Sequence, residues 1–296
     1  MSRILFIVLV LLVQFYLWKV YSSVPSTIES RLPKIVWTYW NSAKIPQFIH
    51  KCFENWKIHN SDWDIRIVTP MNISKYLNTD VTRFKHADSS ARIADFVRLE
   101  ILERFGGIWM DASMLCSENL SWVLKKQQEH DAEFVGFFLA GYTTNSQYPV
   151  IENWFLAAVP NSVFIKDWKK EFLRINEFHT IKDYIDDLKH QNIDLQRIDM
   201  LEYLTMHAAC QKVLQTSPGK YHLALMSAEN GPYKYKARSG WKVQANLERL
   251  CRDPDEFVTP IIKFTSQERK HLIDNELLAD CILRQCNITS HVGNKI

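Results

Sequence analysis

The apolar and polar positions of this chain follow two alternating periods from residue 33 onward. Runs rich in β-branched and aromatic residues predict strands at 34–40, 63–69, 108–111, 134–139 and 153–158. Apolar residues at helical spacing predict helices at 46–59, 88–105, 161–176, 181–190 and 198–216. Because strands and helices alternate through the first half of the chain, we predict an α/β fold with a Rossmann-like, mixed but mostly parallel sheet covered on both faces.

The N-terminal segment differs from everything that follows it. Residues 4–21 are apolar apart from two polar positions, and about eighteen such residues is the lower limit for a helix that crosses a bilayer. No small-residue cleavage site follows, so we predict an uncleaved signal anchor and transmembrane helix at 1–21, a polar stem at 22–32 and one large domain at 33–296. A cleaved signal peptide is the alternative.

The orientation of this anchor is not fixed by charge. Arg3 precedes the apolar run, while Lys19 lies near its C-terminal end and Arg31 follows it, so basic residues lie at both ends. Three N-x-[ST] sequons favour a domain that faces a lumen of the secretory pathway: Asn72, Asn119 and Asn287. We therefore expect a single-pass membrane protein in type II orientation.

Composition narrows the functional classes. Of the 296 residues, 47% are hydrophobic and 23% are charged, which is typical of a folded globular protein. The net charge of +3 is too small to indicate a nucleic-acid partner. The six cysteines include no CxxC pair, so a structural zinc site is not expected. Their even number is compatible with disulfides, and the close pair Cys281 and Cys286 is the candidate bridge, with free buried thiols as the alternative.

The predicted helix at 88–105 carries charge in an apolar setting. Its apolar side chains lie almost all the way round the helix, which predicts that it is buried. Arg92, Asp95 and Arg98 nevertheless share one arc of about 120°. Buried charges need a partner or a ligand, so this arc is either an internal Asp95–Arg98 ion pair or part of a binding site.

The segment that follows the helix brings a second acid to the same region. Gly106 and Gly107 end the helix, and the short strand after them leads into Asp111, with Ser113 two residues later. In parallel sheets, ligands bind at the carboxyl ends of strands, where Asp111 is predicted to lie. A strand-end carboxylate suits Mn²⁺ or Mg²⁺ bound together with the phosphates of a substrate.

These segments resemble the DXD-containing sugar transferases, a group that includes the capsular polysaccharide synthesis proteins. The resemblance is carried by ADSSARIADFVRLEILERFGGIWMDAS at 87–113, by PKIVWTYWNSAKIP at 33–46, and by weaker matches at 152–155 and 260–265. It runs from about Leu32 to about Arg269. The resemblance implies a GT-A-type domain that transfers a hexose or N-acetylhexosamine from a UDP- or GDP-sugar to a glycan acceptor, with assistance from a metal ion and retention at the anomeric carbon.

The resemblance also implies roles for individual residues. Trp37 would lie against the nucleotide base, and Asp95 and Arg98 would hold hydroxyls of the ribose and the sugar. Asp111 would be the first acid of the DXD motif and would contact the metal. Ser113 stands where a second acid is usual, and because a hydroxyl is a poorer Mn²⁺ ligand than a carboxylate, the metal requirement is open.

Further candidates complete this predicted site. Lys263 and Arg269 are expected to share the neutralisation of the diphosphate, and surface solvation is the alternative for both. Glu152 and Asn153 are candidates for contacts with the donor sugar or the acceptor, or else polar residues at a strand edge. The basic, aromatic segment 231–241 lines the acceptor groove, closes over the diphosphate or is a solvated loop.

Two other functions are compatible with the sequence. Ser113 in place of an acid would also suit a degenerate transferase fold that acts as a membrane-tethered glycan-binding or scaffold protein. A metal-dependent phosphotransferase or nuclease could use Asp95 and Asp111, but the chain lacks a P-loop and further suitably spaced acids. The enzymatic interpretation requires that folding brings Asp111 next to Asp95 and Arg98.

Overall fold

The computed structural model describes residues 31–237, 240–253, 255 and 259–292, with side chains as far as Cys286. The predicted anchor at 1–21 lies outside these residues. Within the described ranges no helix has the length and apolar character needed to cross a membrane. The described residues from Leu32 onward belong to one compact unit.

Strands and helices alternate through the described chain as the sequence predicts. The strands are β1 (Ile35–Tyr39), β2 (Asp64–Val68), β3 (Gly107–Met110), β4 (Met114–Cys116), β5 (Phe134–Phe138), β6 (Ile151–Ala158), β7 (Leu223–Ser227) and β8 (Ile261–Lys263). The α-helices are α1 (Gln47–His59), α2 (Ser90–Phe105), α3 (Ser121–Glu129), α4 (Val163–Leu173), α5 (Ile181–His190), α6 (Thr205–Thr216), α7 (Lys234–Ala237), α8 (Val243–Arg252), α9 (Ser266–Asp274) and α10 (Glu276–Val292). All five predicted strands and all five predicted helices are present within a few residues, except that α6 begins late.

Six of the strands form one mixed sheet in the order β2-β1-β3-β6-β5-β7. Strand β1 is parallel to both β2 and β3, and β5 is parallel to β7. Strand β6 is antiparallel to its two neighbours, β3 and β5. Parallel pairings are thus in the majority, and the predicted α/β class with a mixed, mostly parallel sheet is confirmed.

Both faces of this sheet are covered, because neighbouring residues on a strand point to opposite faces. Val36 and Ile108 pack into a core with α1, α9 and α10, whereas Trp37 and Trp109 pack into a second core with α2, α4 and α6. Helix α2 is buried along most of its length, as its all-round apolar pattern predicts. Burial on both faces explains the nearly continuous apolar runs of the central strands.

The double glycine between α2 and β3 fixes the geometry of the turn. Gly106 and Gly107 have φ values of 61° and 95°, in the region that favours glycine. A Cβ on Gly106 would lie 2.6 Å from the backbone nitrogen of Pro160, and a Cβ on Gly107 would lie 2.7 Å from the carbonyl oxygen of Ile35. Only glycine therefore allows α2 to run directly into β3, which joins the two elements that carry Asp95, Arg98 and Asp111.

A two-stranded sheet that the sequence analysis does not predict lies beside the main sheet. Strands β4 and β8 are antiparallel, with Met114 opposite Lys263 and Cys116 opposite Ile261. Each strand has only three residues, which is too short for a periodic pattern to be recognised. This pairing brings the chain near residue 263 next to the chain that follows Asp111.

Two local predictions are wrong, and one of the alternatives left open for a third segment is excluded. The disulfide joins Cys281 to Cys251 and not to Cys286, because residues five apart on α10 point to different sides of the helix. Helix α6 begins at Thr205 and not at residue 198, and the chain before it forms a turn in which Met200 has a positive φ. The segment 231–237 is a turn and the short helix α7, in which Tyr233, Tyr235 and Lys236 are buried, and not a solvated loop.

Candidate functional site

Asp111 lies immediately after β3, at the carboxyl end of the parallel pair β1 and β3. Its backbone N–H donates to the carbonyl of Trp154 at 2.9 Å, so the neighbouring strand β6 fixes its position. Its Oδ2 lies 2.7 Å from Lys263 Nζ, and its Oδ1 accepts from Trp109 Nε1 at 3.2 Å. The Asp111 side chain is 26% exposed, so a ligand can reach it.

Arg98 connects Asp111 to the helix. Its Nη1 lies 2.8 Å from Asp95 Oδ1, and its Nη2 lies 3.4 Å from Asp111 Oδ1. The guanidinium lies over the ring of Trp109, 5.1 Å from the ring centroid. One buried cation thus contacts the helical acid and the strand-end acid together. The structure contains the juxtaposition on which the enzymatic interpretation depends.

Lys263 reaches the site from β8, 152 positions further along the chain. Its side chain is only 7% exposed, which excludes surface solvation. Arg269 on α9 is partly exposed, and its positive charge acts on Lys263. The two basic residues that the sequence analysis singled out therefore lie on the same side of the molecule as Asp111.

The electrostatics of the cluster keep Asp111 ionised. Burial opposes ionisation of this carboxyl group, but the positive charges of Lys263 and Arg98 outweigh it and lower the pKa of Asp111. Burial lowers the pKa of Lys263, against the attraction of Asp111. Burial also raises the pKa of Asp95, against the positive charge of Arg98. Asp111 is therefore the acid of this site that most readily carries a negative charge.

Strand β6 begins beside the end of β3, because these two strands are antiparallel. Asn153 Nδ2 donates to Asp95 Oδ1 at 3.0 Å and so belongs to the cluster. Glu152 points elsewhere: its Oε2 lies 3.2 Å from Nε2 of His207, and both side chains are buried. Nothing in the sequence indicated a role for His207. Only the packing of α6 against β6 shows that it contacts Glu152.

The structure contradicts the role predicted for Trp37. Its side chain is 0% exposed, its Nε1 donates to the carbonyl of Gly106 at 2.9 Å, and its ring packs against Tyr76 and Phe105. A ring enclosed in the core cannot stack on a nucleotide base. Trp40, which is partly exposed, directly follows β1 at the same edge of the sheet as Asp111. Trp40 follows the strand, whereas Trp37 lies within it, and this difference in the sequence could have distinguished the accessible ring from the buried one.

The Ser113 hydroxyl and the Asp111 carboxylate do not face the same binding site. Its side chain is fully buried, and its hydroxyl donates to the carbonyl of Phe264 at 3.3 Å. Among the residues that the structure describes, no group of three His, Cys, Asp or Glu side chains could hold a metal ion. The Asp111 carboxylate is already neutralised by Lys263 and Arg98. The predicted Mn²⁺ or Mg²⁺ site, built from Asp111 and Ser113, therefore does not fit the side chains present.

An exposed aromatic residue at this site was missed by the sequence analysis. Tyr203 is 60% exposed and lies in the turn before α6. Partial burial and the negative charges of Asp95 and Asp111 raise the pKa of Tyr203, while Arg269 opposes this shift. Its hydroxyl thus lies within the electrostatic range of the cluster. No periodic pattern could reveal it, because it belongs to a turn.

The charged cluster lies at the carboxyl end of a strand in an α/β sheet, which is where doubly wound folds bind their ligands. Residues 19–250 match the family described as capsular polysaccharide synthesis proteins, and the chain belongs to that family. This membership confirms the resemblance found in the sequence.

Three curated relatives carry names of glycosyltransferases. The probable glycosyltransferase FCK3 of Fusarium pseudograminearum is 26% identical over 185 residues, which are 55% of this chain and 45% of that protein. The O-glycosyltransferase braB of Annulohypoxylon truncatum is 24% identical over 48% of this chain and 37% of its own length. The uncharacterized glycosyltransferase L373 of Acanthamoeba polyphaga mimivirus is 24% identical over 75% of this chain and 87% of its own length. The alignments thus cover less than half the length of the first two relatives.

Solved structures also align with this chain. The glycosyltransferase GlyE of Streptococcus pneumoniae aligns over 88% of this chain and 63% of its own length, with a TM-score of 0.45 and 11% identity. The galactosyltransferase LgtC, solved with donor and acceptor sugar analogs, aligns over 83% of this chain and 95% of its own, with a TM-score of 0.43 and 10% identity. Both scores lie below 0.5, so the α/β fold rests on the strand order described above.

Proposed function

We propose that this protein is a GT-A-type glycosyltransferase that uses a UDP- or GDP-sugar as donor and a glycan as acceptor. The observation that carries the proposal is the continuous chain of contacts from Asp95 through Arg98 and Asp111 to Lys263 at a strand end. Membership in the capsular polysaccharide synthesis family and the glycosyltransferase names of the relatives support it.

The acids and the guanidinium of this cluster suit a sugar nucleotide. Asp95 and Asp111 offer carboxylate oxygens to hydroxyl groups of the ribose and the transferred sugar, and Arg98 fixes the distance between the two acids. Lys263 and Arg269 supply positive charge beside Asp111 that suits a diphosphate. The exposed ring of Tyr203 and the partly exposed ring of Trp40 offer apolar faces for a sugar or a base.

The reaction exchanges one bond at the anomeric carbon for another. The bond from that carbon to the diphosphate oxygen breaks, and the oxygen keeps the electron pair. A hydroxyl oxygen of the acceptor bonds to the same carbon, and its proton passes to the departing diphosphate. This retaining route needs no dedicated protein base, and in the described cluster Asp111 is held by Lys263 and Arg98 and not poised as a base.

A donor-hydrolysis assay tests the proposal. The purified full-length chain is incubated with UDP- and GDP-linked hexoses and N-acetylhexosamines, and the released nucleoside diphosphate is measured. We expect hydrolysis of at least one donor, and we expect Asp111→Asn to slow it about 100-fold, as for the loss of one preorganised charged contact.

A second acid of matched environment serves as the control. Asp167 lies on α4, away from the site, is 29% exposed and lies 2.6 Å from Lys220, so its exposure and pairing resemble those of Asp111. Asp167→Asn should leave the release rate unchanged. Glycan binding without any nucleotide release, unaffected by Asp111→Asn, would instead favour the glycan-binding scaffold function.

A further inference from the structure

The charges around Asp111 are unbalanced in a direction that suits a diphosphate. The positive charges are Arg92, Arg98, Lys263 and Arg269, and the negative charges are Asp95, Asp111 and Glu152, so four positive charges face three negative charges. Among the described residues, Arg269 forms no ion pair with an acid. The protein itself therefore supplies a net positive charge at this place.

Lys263 is held in place by its backbone. Its N–H donates to the carbonyl of Pro232 at 3.3 Å, and the next residue, Phe264, donates to the carbonyl of Ser113 at 3.1 Å. The ammonium group is buried against Asp111, its strand is paired and its stem is enclosed, so its position is set before any ligand binds. A preorganised charge of this kind stabilises a developing anion without reorganisation.

The same contacts leave little for a divalent cation to bind. Mg²⁺ takes near-octahedral oxygen coordination through one or two carboxylates, and Mn²⁺ also prefers oxygen ligands. One Asp111 oxygen lies 2.7 Å from the Lys263 ammonium, and the other accepts from Trp109 and faces Arg98. Ser113 points into the core. A cation at Asp111 would have to share the carboxylate with a buried lysine that already neutralises its charge.

We propose that sugar transfer at this site does not depend on a divalent metal ion, and that Lys263 and Arg269 carry the charge neutralisation that the metal supplies in DXD enzymes. This inference rests on the proposed function. Lys263 cancels the charge of Asp111, and the partly exposed Arg269 contacts the diphosphate. As the bond to the anomeric carbon breaks, the electron pair stays on the diphosphate oxygen, and the two basic groups stabilise that charge without forming or breaking bonds themselves.

The first experiment measures nucleotide release by the full-length chain with Mn²⁺, with Mg²⁺ and with EDTA. We expect the rates in all three conditions to agree within about twofold, because no step uses a bound metal. Release that falls about tenfold or more in EDTA and returns with Mn²⁺ overturns the inference while leaving the proposed transferase function intact.

The second experiment measures binding of UDP and GDP by calorimetry and does not need turnover. We expect binding in EDTA, and we expect Lys263→Met to weaken it about tenfold while Lys263→Arg retains most of it. The matched control is Lys169→Met. Lys169 is also a largely enclosed lysine paired with two acids, Glu100 and Glu103, but it lies beside the C-terminal half of α2 and away from Asp111.

The two experiments separate the two proposals. Metal-independent nucleotide binding that is lost in Lys263→Met, without any release, supports the charge-neutralising role of Lys263 in place of a metal but contradicts the transferase function. Binding that requires Mn²⁺, equal loss of binding in Lys263→Met and Lys169→Met, or no nucleotide binding in any condition overturns the inference. Unfolding curves of both variants show whether a loss of binding reflects a loss of structure.

Discussion

Two buried lysine–carboxylate pairs of this protein are similar in geometry but differ in what can reach them. Lys263 lies 2.7 Å from Asp111, and Lys236 lies 2.8 Å from Glu268. Asp111 is 26% exposed, whereas Lys236 and Glu268 are each 1% exposed. A ligand can therefore contact the first pair but not the second. Exposure of one partner, and not the ion pair itself, distinguishes a binding site from a structural contact.

The enclosed pair nevertheless supports the exposed one. The hydroxyl of Tyr235 lies 3.0 Å from the Lys263 carbonyl oxygen and 3.1 Å from Glu268 Oε2. Glu268 also accepts from the backbone N–H of Thr265 at 2.8 Å and so caps the first turn of α9. The Lys236 ammonium lies 4.2 Å from the ring centroid of Tyr233. The second pair thus anchors the backbone that carries Lys263.

The largest expected effect comes from breaking the enclosed pair. Glu268→Gln leaves the charge of Lys236 buried without an opposite charge, and we expect it to lower the free energy of unfolding by about 3–5 kcal/mol. Urea unfolding followed by circular dichroism measures this change. Glu248→Gln, which removes an exposed pair with Arg252, should cost less than about 1 kcal/mol. Equal losses in the two variants would contradict the structural role of Glu268.

Asp111→Asn should mainly lower the activity, whereas Glu268→Gln should mainly lower the stability. We expect the rate of nucleotide release to fall about 100-fold, equivalent to ~2.7 kcal/mol. The free energy of unfolding should fall less than in Glu268→Gln, because solvent reaches the Asp111 side chain. Both quantities are measured for this variant: the rate of nucleotide release and the free energy of unfolding in urea. A variant that unfolds as readily as Glu268→Gln would show that both pairs are structural.

The stability of the enclosed pair should also depend on pH. Burial lowers the pKa of Lys236 to about 8, against the attraction of Glu268, while an unfolded lysine has its ordinary pKa of 10.5. Between these values the unfolded chain binds the proton and the folded protein does not, so stability rises with pH. Relative to Lys236→Met, the wild type should gain up to about 1.4 kcal/mol per pH unit from pH 8 to 10.5. A constant difference across this window would contradict the lowered pKa.

The smallest effect is expected at Asn153. This residue donates one hydrogen bond to a carboxylate oxygen of Asp95, whose main partner is Arg98. Asn153→Ala should therefore lower the free energy of unfolding by about 1 kcal/mol. It should slow nucleotide release only about fivefold, since the Arg98–Asp95 contact remains. A loss as large as that of Asp111→Asn would show that Asn153 itself contacts a substrate.

The sequence was sufficient to predict those parts of the structure that a short segment determines by itself. The all-round apolar pattern predicted a buried α2, and the double glycine predicted where it ends. Because Asp95, Arg98 and Asp111 lie on two elements joined by that turn, their proximity could also be predicted. Trp37 was misassigned because the sequence shows that side chains alternate between the two faces of the strand. It does not show that helices will enclose the face on which Trp37 lies.

The sequence by itself determined the class of fold, the buried charged helix and the acid at the strand end, because each depends on periodicity and turn chemistry within about thirty residues. Only the tertiary structure decided which cation meets Asp111, which cysteine pairs with Cys281 and where the Ser113 hydroxyl points. These contacts join residues separated by 30 to 152 positions. No local pattern encodes such distances, since they follow from how whole elements pack.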